Sequence, residues 1–121
     1  MKLQPDASSG TSITGYGTGW VSVNGEKFQR SVYVSASAGC QPWDCPGFEA
    51  LLPEHFGMFA AMQPELIIFG SGARIRFPHP SLLQSLYAQR IGVETMDTQA
   101  ACRTYNFLAA EGRRVIAALL V

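Results

Sequence analysis

The sequence predicts a single α/β domain over residues 13–121, with a mixed and mostly parallel central sheet, preceded by a polar, mobile tail over residues 1–12. Three observations predict this class. An Asn-Gly pair separates two alternating segments near the amino terminus, two short apolar segments each lead into a turn and an amphipathic segment, and a continuous apolar run ends the sequence. Strands that alternate with helices in this order favour right-handed crossovers and parallel pairing.

A two-residue β-hairpin is the clearest local signal. Asn24 and Gly25 lie between the two alternating segments and supply the two positive-φ positions that a type I′ turn requires. This register places Val21 opposite Phe28, with Phe28 on the core side. The hairpin therefore adds antiparallel strands to the predicted fold.

Glycine occurs at positions 15, 17 and 19, just before the hairpin. Because no helical pattern follows these glycines, a phosphate-binding loop is the weaker interpretation. We expect instead a glycine-rich strand or bulge that another backbone segment approaches closely.

Residues 48–62 have the apolar spacing of an amphipathic helix. The side chains predicted to face the core recur at intervals of three and four and are Leu52, Phe56, Phe59 and Ala60. Pro53 suits the first turn of this helix, and Pro64 ends it.

A second helix is predicted over residues 80–89. Its inward side chains would be Leu83, Leu86 and Tyr87, and Gly92 would serve as its carboxyl-terminal glycine.

Three short apolar segments predict buried strands. Residues 66–69 are apolar throughout, as expected of a strand covered on both faces, and they lead into a Gly-Ser-Gly turn. Residues 93–96 form the next strand, and Asp97 or Thr98 caps the helix that follows it. Residues 115–121 are most simply a buried strand that closes the sheet.

The two parallel strands that end at Gly70 and Asp97 bring their following turns to one edge of the sheet. A crevice opens there if the strand order reverses between them. Free amides of the last helix, hydroxyl groups and an arginine would suit a small anion or carboxylate. Under the alternative interpretation, Asp97 only caps the helix and the glycines only turn the chain. The candidate crevice residues are Gly70, Ser71, Gly72, Arg76, Asp97, Thr98, Cys102, Arg103 and Asn106.

Cys102 lies about one turn into the last predicted helix, beside Arg103. A cation and a helix amino terminus both favour the thiolate form of a cysteine. A nucleophile also needs a nearby base, however, and neither His55 nor His79 is predicted to be close. Small cysteines flanked by alanine are common in helix–sheet packing. We therefore predict no catalytic residue and lean against an enzyme.

The cysteines and histidines do not predict a metal site or a cofactor. Cys40 and Cys45 lie in one loop, but zinc would need two further ligands, and no second closely spaced pair exists. Three cysteines are also an odd number for a disulfide framework, so we expect free thiols.

The composition limits the classes of partner. Nine Lys and Arg balance nine Asp and Glu, so no net charge attracts nucleic acid or an anionic membrane. Charged residues make up 15% of the chain, against about 25% in an ordinary soluble domain. Much of the surface must be neutral, which favours a protein partner or self-association.

No targeting or membrane segment is predicted. The first ten residues contain one Lys and no apolar core, unlike a signal peptide. The longest apolar run is far shorter than the ~20 residues of a membrane helix. We therefore expect a cytoplasmic protein without membrane insertion.

Several short motifs occur in order in the carboxyl-terminal half: Gly70-Ser71-Gly72, Arg76-Phe77-Pro78, Gly92-Val93-Glu94, Met96-Asp97-Thr98 and Ala100-Ala101-Cys102-Arg103-Thr104-Tyr105-Asn106. With these motifs the chain closely resembles a family of small proteins of unknown biochemical activity, whose mitochondrial members include NADH dehydrogenase (complex I) assembly factor 3. Ser71 stands where family members usually have threonine, and the hydroxyl group is kept.

The resemblance implies a three-layer fold around a mixed sheet, with an antiparallel last strand. It also implies a protein that binds assembly partners of a respiratory or membrane complex without turning over a substrate, and it supplies no catalytic residues. The alternative is a small-molecule binder, or an enzyme, that uses the crevice between Gly70 and Asp97.

Overall fold

The computed structural model describes residues 10–121. They form two sheets, the first of which is antiparallel with the strand order β1-β2-β3. Its strands are β1 (Ile13–Gly17), β2 (Trp20–Val23) and β3 (Glu26–Phe28). Residues 1–9, on which most of the predicted tail falls, lie outside the described part. Ser12 exchanges two hydrogen bonds with Asn24, at 2.8 and 2.9 Å.

The predicted hairpin is confirmed. Asn24 and Gly25 have φ angles of 50° and 87°, as a type I′ turn requires. Val21 pairs with Phe28, and the Phe28 side chain packs against the buried core. The second strand of the hairpin ends at Phe28, however, and the chain then enters the other sheet at Val32.

The glycines of β1 are approached by a side chain and not by a backbone segment. A Cβ atom at Gly17 would lie 2.4 Å from Nε1 of Trp20, and one at Gly15 would lie 3.4 Å from the same indole. β1 also contains a register shift between Ile13 and Gly15. The predicted bulge is therefore present, and its glycines accommodate the ring of Trp20.

The second sheet has five strands in the order β5-β4-β8-β6-β7. They are β4 (Val32–Ser35), β5 (Gly39–Pro42), β6 (Leu66–Gly70), β7 (Gly92–Met96) and β8 (Val115–Leu119). β6 pairs in parallel with both β7 and β8, whereas β4 pairs antiparallel with β5 and β8. The sheet is mixed as predicted, but only half of its pairings are parallel. The resemblance implied an antiparallel last strand. That strand, β8, is antiparallel to β4 but parallel to β6.

The predicted helix over residues 48–62 is three short helical pieces. They are a 3₁₀ turn (Phe48–Ala50), helix α1 (Pro53–Gly57) and a second 3₁₀ turn (Met58–Met62). Leu52 was predicted to face the core but is 50% exposed. It precedes Pro53 and has an extended backbone, because the proline ring disfavours helical geometry in the residue before it.

The second predicted helix also divides, into a 3₁₀ turn (Pro80–Leu83) and helix α2 (Gln84–Ala88). Leu83 and Leu86 are buried as predicted, but Tyr87 is 51% exposed. The prediction for Gly92 was wrong. Arg90, with a φ of 60°, supplies the left-handed residue after the helix, and Gly92 begins β7.

The carboxyl-terminal third agrees closely with the prediction. Helix α3 (Thr98–Ala110) begins after Asp97, whose carboxylate accepts a hydrogen bond from Ala100 N at 2.9 Å. β8 lies at the centre of the five-stranded sheet, and every residue in it is buried.

Different elements cover the two faces of the five-stranded sheet, since Ile67 and Phe69 of β6 point to one face and Ile68 to the other. The first, which we call the aromatic face, packs against α1, α2 and the neighbouring turns through Trp43, Phe56, Phe59, Leu83 and Leu86. The second, which we call the small-residue face, packs against α3 and the three-stranded sheet through Ile13, Val21, Ala101, Cys102 and Tyr105. Among residues 10–121, no helix is both long and apolar enough to cross a bilayer.

Candidate functional site

The two predicted turns meet at one rim of the sheet. Thr98 N donates a hydrogen bond to Gly72 O, and Gly72 N donates one to Thr98 Oγ1, both at 2.9 Å. Ser71 N donates to Met96 O at 2.9 Å. The ends of β6 and β7 are therefore neighbours, as expected from parallel strands whose carboxyl ends share one edge.

Both hydroxyl groups at this rim already have partners. Thr98 Oγ1 donates to Leu120 O at 2.5 Å while it accepts from Gly72 N. Ser71 Oγ lies 2.8 Å from Arg74 O and accepts from Arg76 N at 2.9 Å. Both residues are buried. These hydroxyls hold the backbone of the rim in place, which explains why a hydroxyl residue suits position 71.

Gly70 permits the close approach of α3 to β6. A Cβ atom at this position would lie 3.0 Å from Cα of Thr98 and 3.0 Å from Cδ2 of Leu119. Gly72 has a φ of 108°, which favours glycine for a different reason. The Gly-Ser-Gly turn is thus required by packing at its first residue and by backbone conformation at its third.

A groove of about 430 Å³ opens beside this rim. Four of the nine candidate residues line it: Ser71, Gly72, Arg76 and Thr98. Its other walls come from the turn between β1 and β2, from residues 46–48 and from the end of the chain. The lining of this groove is wider than the sequence indicated, and five of the nine candidate residues lie outside it.

Among the described residues that line the groove, Arg76 alone has a charged side chain, and that side chain contacts Phe48 and Glu49. Its guanidinium carbon lies 4.4 Å from the centroid of the Phe48 ring. Its Nη1 lies 2.9 Å from Oε2 of Glu49. A hydrogen bond from its own backbone amide, followed by the attraction of Arg76, lowers the pKa of the Glu49 carboxyl. Arg76 Nε is buried and has no hydrogen-bond partner among residues 10–121.

The expectation of several free helix amides at this rim was wrong. Thr98 N is bonded to Gly72 O, and Ala100 N is bonded to the Asp97 carboxylate. Of the first three residues of α3, only Gln99 keeps an amide without a partner in the described part of the chain, and Gln99 lines the groove. The cap residue occupies the position that an anion would take, because a carboxylate satisfies the same donors.

Cys102 does not reach the groove and is not a thiolate. It is fully buried under α3, between the helix and the sheet. Burial raises the pKa of its thiol from 9.0 to about 12, although Arg103 lowers it. Any activation by the helix terminus and the adjacent cation, which the sequence analysis weighed against close helix–sheet packing, is therefore outweighed, because desolvation favours the neutral thiol. All three cysteines are free.

The two remaining candidates join α3 to the three-stranded sheet. Asn106 Oδ1 accepts from Ile13 N at 2.9 Å, and Asn106 Nδ2 donates to Ile13 O at 2.7 Å. The side-chain amide thus pairs with β1 as a neighbouring strand would. Arg103 is exposed, and its Nη1 donates to the Tyr16 hydroxyl at 3.1 Å. Neither residue lines the groove.

Sequence reasoning missed much of the groove wall. Phe48 was assigned to a helix, and the Gly17-Thr18-Gly19 turn was interpreted only as a strand or bulge. A proline–glycine pair at 46–47 and the glycines at 17 and 19 mark two chain reversals. No local pattern indicates that these reversals meet the end of β6. Within residues 10–121, no three His, Cys, Asp or Glu side chains come together in a group that could hold a metal ion.

A known protein family matches nearly all of the described part of the chain. The family described as "Protein of unknown function (DUF498/DUF598)" matches residues 13–120. The chain belongs to this family. The resemblance based on the motifs of the carboxyl-terminal half is therefore confirmed.

Curated relatives of this DUF498/DUF598 member include assembly factors. NADH dehydrogenase [ubiquinone] 1 alpha subcomplex assembly factor 3 of Danio rerio is 33% identical over 98% of this chain and 68% of the relative. The Homo sapiens protein of the same name is 29% identical over 98% of this chain and 65% of its own length. This chain thus spans about two-thirds of these relatives. An uncharacterized protein of Rhodobacter capsulatus is 35% identical over 97% of this chain and 90% of its own length.

Solved structures of bacterial proteins share the fold. A crystal structure of a Bordetella parapertussis protein superposes with a TM-score of 0.86 at 36% identity, covering 91% of this chain and 94% of that one. A solution structure of a Bordetella pertussis protein, described as an Mth938-like domain, gives a TM-score of 0.82 at 32% identity, covering 99% and 92%. This family member therefore has an α/β fold of the Mth938-like kind.

Proposed function

We propose that this protein binds other proteins during the assembly of a respiratory or membrane complex and does not itself catalyse a reaction. The similarity to NADH dehydrogenase assembly factor 3 over 98% of the chain carries the proposal. That similarity extends over both sheets and over all the helices that join them. A shared role would therefore use the folded domain as a whole.

Exposed apolar side chains support a protein partner. Phe77 is 71% exposed and Phe107 is 65% exposed. Ile75, two residues before Phe77, is also exposed. Large apolar side chains in contact with water favour burial in an interface, because each square ångström removed from water contributes roughly 25 cal/mol.

The state of the buried groups also supports a role without catalysis. The Cys102 thiol is held neutral by burial, and the Ser71 and Thr98 hydroxyls are engaged with backbone groups. A nucleophile needs an adjacent base and a route to substrate. None of these three side chains has both among the described residues.

The proposal is tested by deleting the gene in its own organism and measuring assembled NADH dehydrogenase on native gels. We expect less assembled complex, with unchanged levels of the subunit transcripts. Re-expression of the wild-type chain should restore assembly, and Phe77→Ser combined with Phe107→Ser should restore it less well. The matched control is Leu52→Ser, which changes another exposed apolar residue. Unchanged assembly in the deletion strain would refute the proposal.

A second candidate function is the binding of a small carboxylate or other anion in the groove. The buried, unpartnered Nε of Arg76 favours it, because a charged donor without an acceptor is costly to bury. Arg76 is also stacked on Phe48, which limits its rotation. A carboxylate could accept from Nε while Glu49 keeps its contact with Nη1.

Titration of ¹⁵N-labelled protein with sodium succinate tests this second function, with sodium chloride at equal ionic strength as the control. We expect shifts of the Gly72 and Gln99 amides and of the Arg76 Nε–H resonance. Arg76→Gln should abolish these shifts, and Arg74→Gln, which changes an exposed arginine nearby, should leave them in place. Equal shifts with sodium chloride would show that the groove does not select a carboxylate.

A further inference from the structure

The outer edge of β7 carries backbone groups that no strand pairs with. β7 pairs with β6 alone and ends the five-stranded sheet. Met96 O accepts from Ser71 N, so Met96 directs its backbone polar groups toward β6. Because successive residues of a strand direct these groups to opposite sides, Val93 and Thr95 direct theirs away from the sheet. These two N–H and two C=O groups have no partner among residues 10–121.

The side chains of β7 agree with an uncovered edge. No residue of β7 is fully buried, whereas four of the five residues of β6 are. The two strands have the same length and matched register, from Leu66 opposite Gly92 to Gly70 opposite Met96. The difference in burial therefore comes from the absence of a further element beside β7 in the described part of the chain.

The opposite edge of the same sheet is protected. Trp43 N donates to Ser31 O at 3.0 Å, so the preceding residue, Pro42, faces away from β4. Proline has no N–H to offer to an added strand, and natural sheets use it to block their edges. β7 contains no proline. Of the two edges of this sheet, β7 is the one that can accept a strand.

A single charge, on Glu94, decides which strand β7 can accept. Glu94 is exposed and is the only charged residue in β7. A second copy that used all four free groups in an antiparallel pairing would place Val93 opposite Thr95 and Glu94 opposite Glu94. That central pair is not hydrogen-bonded, so its Cα atoms lie only about 4.5 Å apart. Like charges directly opposite destabilise such a pair. Self-pairing is therefore disfavoured, and a cationic residue opposite Glu94 is favoured.

We propose that the open edge of β7 is a docking site for an extended segment of a partner protein that places Lys or Arg opposite Glu94. The proposal rests on the partner-binding function proposed above and specifies the chemistry of the partner. Main-chain hydrogen bonds to Val93 and Thr95 hold the partner segment, and the charge of Glu94 selects a segment with a cation opposite it.

The Glu94→Lys variant of this chain serves as the probe, because its β7 is an extended segment with a lysine at the central position. Unlabelled variant is added to ¹⁵N-labelled wild-type protein at millimolar concentration. The Val93 and Thr95 amides should shift and exchange more slowly with solvent. The association constant should exceed that of wild type with itself about fivefold to tenfold, since an opposite-charge pair replaces a like-charge pair.

Two further variants keep the test specific. Glu26→Lys makes the same change in net charge at an exposed position on β3 and should leave the Val93 and Thr95 amides unshifted. Thr95→Pro in the labelled chain removes an outward N–H without breaking the pairing with β6, and it should abolish the association with Glu94→Lys.

Three results would overturn the proposal. They are no shift of Val93 and Thr95 with Glu94→Lys, an equal shift with Glu26→Lys, and equally strong pairing of the wild-type chain with itself. The first result would show that no strand pairs with the β7 edge. The second would show that the association depends only on net charge, and the third would show that the edge binds a second copy of this chain. Each leaves the proposed assembly function intact, because that function is measured on the assembled complex in cells.

Discussion

The two faces of the five-stranded sheet are packed by different means. On the aromatic face, the ring of Trp43 lies 5.7 Å from that of Phe56, 5.9 Å from that of Phe59 and 6.1 Å from that of Phe69, measured between centroids. On the small-residue face, Ala101 and Cys102 of α3 pack against the sheet. A Cβ atom added at Gly70 would lie only 3.0 Å from Cα of Thr98 in the helix.

This difference explains why the helices differ in regularity. Large rings fill an irregular space, and α1 and α2 are five residues each, with 3₁₀ turns on both sides of α1 and before α2. Close contact between a helix and a sheet requires a regular helix with small side chains at the contact, and α3 extends over 13 residues. The candidate groove lies at the rim where the regular helix begins. Its geometry therefore depends on both faces, since its wall also includes Phe48, which packs against the aromatic face.

Removal of the central ring should cause the largest loss of stability. Trp43 is buried, and its Nε1 donates to His55 O at 3.0 Å. We expect Trp43→Ala to lower the free energy of unfolding by about 3–5 kcal/mol, because it leaves a large cavity and an unpaired carbonyl. Urea unfolding followed by circular dichroism measures this loss. Trp20→Ala, on the outside of the small sheet, should cost clearly less, and the reverse order would contradict the comparison.

On the small-residue face, a larger side chain should lower the stability of the fold. Ala101 is fully buried between α3 and the sheet. We expect Ala101→Leu to lower the free energy of unfolding by about 1–3 kcal/mol through overpacking. The matched control is Ala110→Leu at the exposed end of α3, which should be close to neutral. An unchanged urea midpoint for Ala101→Leu would show that this face has spare room.

A smaller effect is expected where α3 holds the three-stranded sheet. Asn106→Ala removes both hydrogen bonds to the backbone of Ile13. We expect a loss of about 1–2 kcal/mol, because two part-buried backbone groups lose their partner. Hydrogen exchange should quicken at the Ile13 amide and in β1 before it does so in β8. Uniform quickening across both sheets would instead indicate a single cooperative unit.

The smallest effect concerns pH. Burial raises the pKa of Cys102 from 9.0 to about 12. As the pH rises, the unfolded chain loses the Cys102 thiol proton at a lower pH than the folded chain does. The stability contributed by the neutral buried thiol is therefore fully present below pH 9.0 and is lost as the pH rises toward 12. The stability difference between wild type and Cys102→Ala should therefore shrink by about 1 kcal/mol from pH 8 to pH 9.5, as measured by urea unfolding. Parallel curves would show that Cys102 ionises in the folded protein as readily as in the unfolded chain.

Local sequence patterns predicted the elements that depend on neighbours in the chain. The Asn24-Gly25 hairpin, the Asp97 cap and the fully apolar β8 were identified correctly because turn geometry, capping and burial on both faces each leave a short signature. Leu52, Tyr87 and Gly92 were misassigned. Leu52 is extended because it precedes Pro53, Tyr87 is half-exposed in a helix of only five residues, and Gly92 begins β7 after Arg90 has supplied the left-handed residue.

The candidate site was likewise predicted only in part. The sequence predicted the meeting of the Gly70 turn with the start of α3, since parallel strands bring their carboxyl ends together. It did not predict that Asn106 would bind β1 or that Arg76 would stack on Phe48. These contacts join residues that are 93 positions apart in one case. No spacing rule connects such distant positions.

The amino-acid sequence by itself determined the α/β class, the hairpin register, the cap of α3 and membership of the family. The hairpin and the cap depend on side chains within a few residues of one another, whereas the class and the family follow from the order of short motifs along the chain. Only the tertiary structure decided the walls of the groove and the exposure of the β7 edge. Those properties depend on which distant segments exclude water from a given atom, and that is determined when the two sheets and the helices pack together.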